Sequence, residues 1–484
     1  MSGVLFCELG SAPVVHRREW RDLEPAQNML QSGDWVVPRY EGHVRLSKPP
    51  LYYWMVAALS WPSGSVTPWT LRIPSAAAAI ALAALVAIWG HAIGGGRFAA
   101  TAAGAFSLMT WIYKQGRRGD AETLYAFFAV LTLFLIDTAV RRSRARAAPW
   151  IGVSAGLAFL GKATAALPTL LAPSLVWLAT EHRLRDLARA AVWRGVAVAA
   201  AIGLFWYALL LWRVPGALDH FYTEIVIPLG LSGPTGGPNH VKPFYSYVYL
   251  LGVFALPATL ALPLVAWRAW TSRLWRNVPA MRLPGLGLLA VFVVLSLVAE
   301  KQRHYIVPML PLLALVIADA VLAFAREERE RLRRWLPAGG VTLAGLCGLG
   351  TVFAVAWFSV VLGAAPFLGA VPVGIALVLL AGAALGAGLR RRAAALAGVL
   401  VTLNLALSAV AYDSLDVWRW WFLSGHIQER PGFDAQRWDR VFRDHPHAAW
   451  ALSAGDYLAS RNPAGGRAPS DPVLPSAPPR STGP

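Results

Sequence analysis

Long apolar runs alternate with short polar connections along most of the chain. Most runs approach the ~20 residues that a helix needs to cross a lipid bilayer, so they predict transmembrane helices. About twelve such helices are expected, although the fourth and fifth are short and contain prolines that break them or make them re-entrant. In chain order the runs are 71–93, 98–115, 121–140, 150–164, 166–180, 193–213, 244–267, 284–300, 305–325, 338–362, 367–389 and 393–412.

The stretch Ser32–Trp54 differs from these runs because it is polar, aromatic and interrupted by proline. Its prolines and its Gly33-Asp34 pair predict turns, and Pro49-Pro50 fixes an extended backbone immediately after Lys48. Aromatic residues at 52–54 then lead into apolar sequence, as at a membrane–water interface. We therefore expect residues 20–70 to form short amphipathic helices along the outer surface. Lys48 either has a function at this surface or is an ordinary interfacial lysine whose long side chain places its ammonium group in water.

The composition excludes a soluble protein with one or two cores, since 56% of the 484 residues are hydrophobic and 14% are charged. The formal charge of +18 does not indicate nucleic-acid binding, because the basic residues form clusters between the apolar runs. Cys7 and Cys347 are too few for a disulfide framework.

Arginine placement predicts the orientation, because arginine-rich connections remain in the cytoplasm. Such clusters occur around residues 141–146, 183–194, 268–282, 326–334 and 390–392. The outer face then receives residues 1–70, 116–120, 214–243, 301–304 and the chain after 412. We predict an outer loop at 1–70, a transmembrane domain at 71–412, a small outer segment at 413–462 and a disordered tail at 463–484.

The same outer face gathers acids, bases and cations. This combination suits displacement of a lipid-borne phosphate: a carboxylate removes a proton from an acceptor hydroxyl while cations neutralise the phosphate leaving group. For any single residue the alternative is an ordinary solvated loop charge. The candidates are Glu19, Asp22, Glu24, Asp34, Asp120, Glu122, Glu224, Glu300, His240, His304, Tyr245, Tyr305, Lys48, Arg117, Arg118, Lys242, Lys301 and Arg303.

Several of these segments, in order, resemble a known family. The run MLQSGDWVVPRYEGHVRLSKPPLYYWMVAAL is similar to the first outer loop of integral-membrane glycosyltransferases that use polyprenyl-phosphate sugars. These are the aminoarabinose-transferase-like and protein-mannosyltransferase-like enzymes of glycosyltransferase family 39. The likeness continues through LRIPSA, GRRGDAE, GLAFLGKATAALP, HVKPFYSY and EKQRHYIVPMLP, covering about residues 15–325.

The resemblance implies an all-helical, polytopic GT-C-like bundle, and the count of twelve implies that the family's first helix is missing. It also implies that Lys48 binds the lipid phosphate with Tyr305 and with Lys242 or Arg303. Catalytic roles fall to Glu19, Asp120 and Glu122, and His240 and Glu224 are candidates for metal or substrate binding. Two positions depart from the family pattern: Arg18 stands where its catalytic aspartate is expected, and Ser47 replaces a glutamate.

The predicted function is therefore transfer of a sugar from a polyprenyl-phosphate donor to a lipid, glycan or protein acceptor. The reaction is expected at the outer, periplasmic side of a bacterial inner membrane, with a divalent metal as a candidate cofactor and no nucleic-acid partner. The alternatives are a lipid or lipid-linked-sugar flippase and an inactive family member. A transporter predicts ionisable residues near the bilayer midplane. Asp137 and Asp319, however, lie near the predicted cytoplasmic helix ends.

Overall fold

The computed structural model describes residues 5–6, 9–10, 14, 17–46, 48–141, 145–222, 243–255, 258–298 and 301–327. The three predicted helices beyond residue 337, the segment at 413–462 and the tail at 463–484 lie outside these residues. Ser47, Glu224, His240, Lys242 and Glu300 also lie outside them.

The described part is helical apart from one small hairpin. Its helices are α1 Arg17–Ser32, α2 Leu51–Ser60, α3 Pro68–Ser107, α4 Thr110–Gly116, α5 Glu122–Arg141, α6 Ala148–Thr180, α7 Ala190–Arg213, α8 Ala217–Phe221, α9 Ser246–Phe254, α10 Leu262–Thr271, α11 Arg282–Leu297 and α12 Met309–Glu327. The hairpin pairs β1 Arg39–Tyr40 with β2 His43–Val44 in antiparallel register. Short 3₁₀ turns connect several helices.

Five helical segments within the described residues are long and apolar enough to cross a membrane. They are Pro68–Ser107, Glu122–Arg141, Ala190–Arg213, Pro279–Leu297 and Met309–Glu327. Large apolar side chains on these and neighbouring helices point outward, among them Trp150, Trp193 and Trp212. Such outward-facing apolar surface is what a lipid environment favours. The prediction of an all-helical, multi-pass membrane protein is confirmed.

Helix α3 is a helical hairpin of two arms, as the Gly94-Gly95-Gly96 run predicts. Gly94 and Gly95 leave the helical conformation, and Gly95 has a φ of +75° that favours glycine. The arms then pack closely: a Cβ built on Gly90 would lie 3.1 Å from the Cα of Ala99. In a straight helix these two residues would be about 13 Å apart.

Helix α6 also folds back on itself, at Lys162, whose φ of −164° and ψ of 83° interrupt the helix. Its first arm follows the Arg141 end of α5, and Arg183, just beyond its second arm, donates a hydrogen bond to the Val140 carbonyl. Both ends of α6 therefore lie at the same end of the bundle. The two predicted short segments are these two arms, and Lys162 is placed at the opposite end of the bundle.

Helix α12 is the central helix of the described bundle, because it is buried on all sides from Met309 to Ala320. Asp319, near its end, accepts hydrogen bonds from Arg268 and from the Trp275 ring. The Arg141–Asp137 pair, within α5, and the Arg282–Glu181 pair lie in or beside the arginine-rich connections. Arginines of the clusters that predict the orientation therefore also form ion pairs with acidic side chains at or near the ends of the helices.

The first outer loop has the predicted short helices, α1 and α2, and adds the hairpin, which the sequence reasoning did not predict. Gly33, with a φ of +71°, follows α1, while Glu41 and Gly42 form the positive-φ turn between the strands. Pro50 caps α2. The predicted single span at 244–267 is wrong: α9 and α10 are separate helices, since a proline within a helix removes a backbone hydrogen bond and Pro257 lies between them.

We expect Gly90→Ala to destabilise the protein by roughly 1 kcal/mol or more, because the new methyl group meets the backbone of the facing arm. Gly104→Ala is the matched control, since no atom lies within 4 Å of its built Cβ and alanine favours helix. Thermal unfolding of the purified protein in lipid nanodiscs measures both. Equal stability of the two variants would contradict the close packing of the α3 arms.

Candidate functional site

Five segments meet at the end of the bundle opposite its arginine-rich connections. They are the start of α1, the turn before α2, residues 117–122 before α5, the tip of α6 at Lys162, and the 3₁₀ turn at 303–306. Side chains from all five contact one another there, although they are far apart in sequence. The cluster is mostly buried and contains four carboxylates: Glu19, Asp22, Asp120 and Glu122.

Lys48 is held by Asp22, whose two carboxylate oxygens lie 3.0 and 2.9 Å from its Nζ. Asp22 is fully buried, one helical turn along α1 from Arg18. Burial alone would lower the pKa of Lys48, but the Asp22 carboxylate, followed by Tyr53, Asp120 and Glu122, raises it above its ordinary value. Lys48 is therefore a fixed cation, and the Pro49-Pro50 pair directs the chain from it into α2.

Glu19 belongs to a separate ion pair with Arg72 of α3. Its oxygens accept from Arg72 Nε at 2.8 Å and Nη2 at 3.1 Å, and also from the Gly119 backbone N–H at 2.9 Å. Burial would raise the pKa of Glu19, but the Arg72 charge and these hydrogen bonds hold it below its ordinary value. The role of Glu19 as a base stays a prediction, and the contacts favour a structural role instead.

Asp120 and Glu122 offer free carboxylate oxygens at the centre of the cluster. Asp120 Oδ1 accepts the Glu122 backbone N–H at 3.2 Å. Among the described residues, Asp120 Oδ2 and Glu122 Oε2 are buried and lack a hydrogen-bond partner. Burial and then the neighbouring Glu122 charge raise the pKa of Asp120 to about 6. Asp120 is therefore half-ionised near the pH at which a general base works best.

Lys162 and His304 both reach Glu122 from the other side. Lys162 Nζ lies 2.6 Å, and His304 Nε2 3.2 Å, from the same oxygen, Oε1. Lys162 also lies 4.6 Å from the centre of the Tyr305 ring, and Arg18 Nη1 lies 2.8 Å from His304 Nδ1. The sequence reasoning gave Lys162 and Arg18 no role in the site. A single lysine within an apolar run was the one available signal for Lys162.

The structure thus brings together six candidates from the sequence, Lys48, Asp22, Asp120, Glu122, His304 and Tyr305, and it adds Lys162 and Arg18. Arg303 is exposed beside this cluster. Glu224, His240 and Lys242 lie outside the described residues. Within the described ranges, no group of three His, Cys, Asp or Glu side chains is placed to hold a metal ion. A divalent metal therefore stays a prediction.

Comparison with known proteins gives related sequences. The family described as dolichyl-phosphate-mannose-protein mannosyltransferase matches residues 47–211. An undecaprenyl phosphate-alpha-4-amino-4-deoxy-L-arabinose arabinosyl transferase of Pseudomonas savastanoi is 30% identical over 345 residues, which is 69% of this chain. A similarly named protein of Serratia proteamaculans is 25% identical over 342 residues, 68% of this chain and 59% of its own. The chain spans 61% of the Pseudomonas relative's length.

A solved structure gives the fold. ArnT from Cupriavidus metallidurans, in the apo state, matches with a TM-score of 0.67 at 20% identity, over 88% of this chain and 78% of that one. The resemblance seen in the sequence is confirmed. The chain is similar in sequence to the aminoarabinose transferases and shares the GT-C fold of ArnT. The same ArnT has been solved with undecaprenyl phosphate bound, again with a TM-score of 0.67.

In this aminoarabinose-transferase-like chain, Arg72→Met should destabilise the fold by about 3–5 kcal/mol, because it leaves the Glu19 carboxylate buried without its cation. Arg213→Met is the control: its pair with Asp34 is largely exposed and contributes about 0–1 kcal/mol. Unfolding in nanodiscs measures both variants. Adding Glu19→Gln to Arg72→Met should restore part of the loss.

The same pair has a predictable pH dependence. Since folding lowers the pKa of Glu19, its contribution to stability is present above the ordinary value of 4.5 and is lost as pH falls through the lower folded value. The parent protein should therefore lose stability in that acid range, and the double variant should lose less. Equal acid sensitivity would contradict the pairing.

Proposed function

We propose that the protein is a glycosyltransferase that moves a sugar from a polyprenyl-phosphate donor to an acceptor hydroxyl. The observation that supports this most is one buried cluster in which a fixed cation, Lys48, lies beside a carboxylate of raised pKa, Asp120. The named relatives and the ArnT fold support the same reaction class.

In the proposed reaction the acceptor oxygen attacks the anomeric carbon as the bond from that carbon to the phosphate oxygen breaks. The proton of the acceptor hydroxyl passes to Asp120 Oδ2, the oxygen without a hydrogen-bond partner among the described residues. The departing lipid phosphate keeps the bonding electrons, and Lys48 stabilises its growing charge with Tyr305 nearby. Because the cluster is mostly buried, the electrostatic effects of Asp120 and of Lys48 on the reacting atoms are both stronger than they would be in water.

Asp120 is the better base than the other two predicted acids. Glu19 has its oxygens occupied by Arg72 and Gly119. Glu122 has one oxygen, Oε1, held by both Lys162 and His304, whereas Asp120 combines an oxygen that has no partner among the described residues with a pKa raised by burial and then by the Glu122 charge. We assign Glu122 the role of organising the cluster, and Glu19 the role of holding α1 against α3.

The proposed donor and acceptor are inferred from the proteins to which this chain is similar. Those relatives are named for undecaprenyl phosphate-linked aminoarabinose, so we propose an undecaprenyl-type lipid carrying a pentose or related sugar as donor. A lipid is the favoured acceptor. We place the site on the periplasmic side of the inner membrane, because the arginine-rich connections lie at the other end of the bundle.

A transport function has less support. Asp137 and Asp319, the acids in the interior of the described spans, are each paired with an arginine, whereas Glu122 and Glu327 are the end residues of their spans. Within the part of the chain that the structure describes, the interiors of the spans therefore present no unpaired acid for ion-coupled transport.

Lys48→Ala should remove most sugar transfer, and because it leaves the buried Asp22 carboxylate without its cation, the Lys48→Ala/Asp22→Asn double variant is compared with it to separate this loss from unfolding. The phosphate-binding cation contributes most once the leaving group's charge develops, so kcat should fall by about 100-fold or more. Arg39→Ala is the control, an exposed cation in the same loop. Transfer of radiolabelled sugar from a synthetic polyprenyl-phosphate donor, in nanodiscs, measures both. Full activity of Lys48→Ala would exclude this role.

Asp120→Asn should lower kcat/KM by a factor of about 10² to 10⁴, the usual range for loss of a general base. In the parent enzyme, kcat/KM should fall about tenfold per pH unit below the Asp120 pKa of about 6, because the base is then protonated. This fall of kcat/KM at low pH, the acid limb of the pH profile, should be absent from the residual activity of Asp120→Asn. An unchanged acid limb in that variant would show that a group other than Asp120 causes the fall.

A further inference from the structure

Arg18, His304 and Glu122 form a chain of contacts that the proposed reaction does not use directly. Arg18 Nη1 lies 2.8 Å from His304 Nδ1, and its Nη2 donates to the Gln302 side chain at 3.2 Å. The other ring nitrogen, Nε2, lies 3.2 Å from Glu122 Oε1. His304 is buried. The chain thus links the start of α1, through the 303–306 turn, to the segment that carries Asp120.

The direction of these hydrogen bonds is fixed by arginine, which has donors and no acceptor. His304 Nδ1 must accept from Arg18, so it carries no proton. The proton of a neutral imidazole then lies on Nε2 and is donated to Glu122. An imidazolium would place an N–H against the guanidinium and lose this contact. Arg18 therefore selects one tautomer of His304.

The surrounding charges favour the neutral ring as well. The groups that act on it are Arg18 of α1, Lys48 of the first loop, Arg118 and Glu122 before α5, Lys162 at the tip of α6 and the adjoining Tyr305. Burial, followed by the charges of Lys162, Arg18, Lys48 and Arg118, holds the pKa of His304 well below its ordinary value. The ring is therefore a steady donor across the working pH range.

From this geometry we infer that His304 is a positioning residue: Arg18 fixes its neutral Nε2–H tautomer, and that N–H holds the Glu122 carboxylate oriented beside Asp120. The inference rests on the proposed function. After burial, the neighbouring Glu122 charge raises the pKa of Asp120, because two adjacent carboxylates resist carrying a second negative charge. Arg18 thus acts three contacts away from Asp120, through His304 and Glu122, although it occupies the position where the family resemblance leads one to expect an acid.

The first test compares two amides at position 304. The Gln amide nitrogen lies about where Nε2 lies and can still donate to Glu122, whereas the shorter Asn side chain cannot reach it. We expect His304→Gln to keep kcat within about threefold of the parent and His304→Asn to lower it about tenfold or more, with KM for the donor little changed. His91→Asn, at an exposed position on α3, is the control.

The pH profile separates positioning from a merely structural role. Without the Nε2–H donor the Glu122 carboxylate is no longer held beside Asp120 and its charge raises the pKa of Asp120 less, so the acid limb of kcat/KM should move to lower pH in His304→Asn by roughly 0.5–1 unit. It should not move in His304→Gln. A loss of activity in both variants with an unmoved limb, or an unaltered His304→Asn enzyme, overturns the inference.

The second test does not depend on turnover. Solid-state NMR of protein labelled with ¹⁵N-histidine in nanodiscs reports which ring nitrogen is protonated, and subtraction of the His304→Gln spectrum assigns the signal. We expect a neutral Nε2–H ring at pH 6 in the parent and a mixture of forms in Arg18→Met. A protonated Nδ1 in the parent contradicts the inference.

The two readouts distinguish the possible failures. If the parent transfers sugar and depends on Lys48 and Asp120, yet His304→Asn matches it, the positioning role fails and the proposed function stands. If the parent transfers no polyprenyl-linked sugar, the proposed function fails and the catalytic meaning of the contacts fails with it. The tautomer then still shows whether Arg18 and His304 interact as the structure indicates.

Discussion

Ionisable groups buried beside an apolar bundle are tolerated only where each charge meets an opposite one, and this constraint organises the end of the bundle that carries the candidate site. Asp22 meets Lys48, Glu19 meets Arg72, and Glu122 meets Lys162. Each pair joins two segments that are distant in sequence. The Glu19–Arg72 pair fixes the first loop against α3, the Asp22–Lys48 pair joins two parts of that loop, and the Glu122–Lys162 pair joins α5 to α6. Among the described residues, Asp120 Oδ2 and Glu122 Oε2 are the carboxylate oxygens of this cluster that lack a hydrogen-bond partner.

Much of the fold was accessible from the sequence because its causes are local. Apolar runs of spanning length and a three-glycine turn need no knowledge of partners, so the arms of α3 and α6 were predicted. The break between α9 and α10 was not predicted, because the run 244–267 is apolar on both sides of Pro257 and was therefore interpreted as one helix. The hairpin was missed because strands of two residues have no periodic signal.

The site was only partly accessible because the role of a side chain depends on what it pairs with. The structure places Lys48, Asp120 and Tyr305, three candidates from the sequence, in one region, and it places the candidate acid Glu19 in an ion pair. The partner of Glu19, Arg72, lies 53 residues away in a run predicted to be a span. No sequence pattern shows that pairing, and it is the reason why the proposed reaction gives Glu19 a structural role.

The Lys48–Asp22 contact has a consequence for the order of events. In the proposed reaction, an arriving lipid phosphate would replace the Asp22 carboxylate, both of whose oxygens hold the ammonium, and would not meet a bare cation. The same carboxylate would return to Lys48 as the spent lipid leaves. The strength of the Asp22–Lys48 pair would then reduce the affinity for the phosphate, which favours turnover over tight retention of product. Asp22 would thus act as a resident substitute anion whose strength sets how easily the carrier lipid departs.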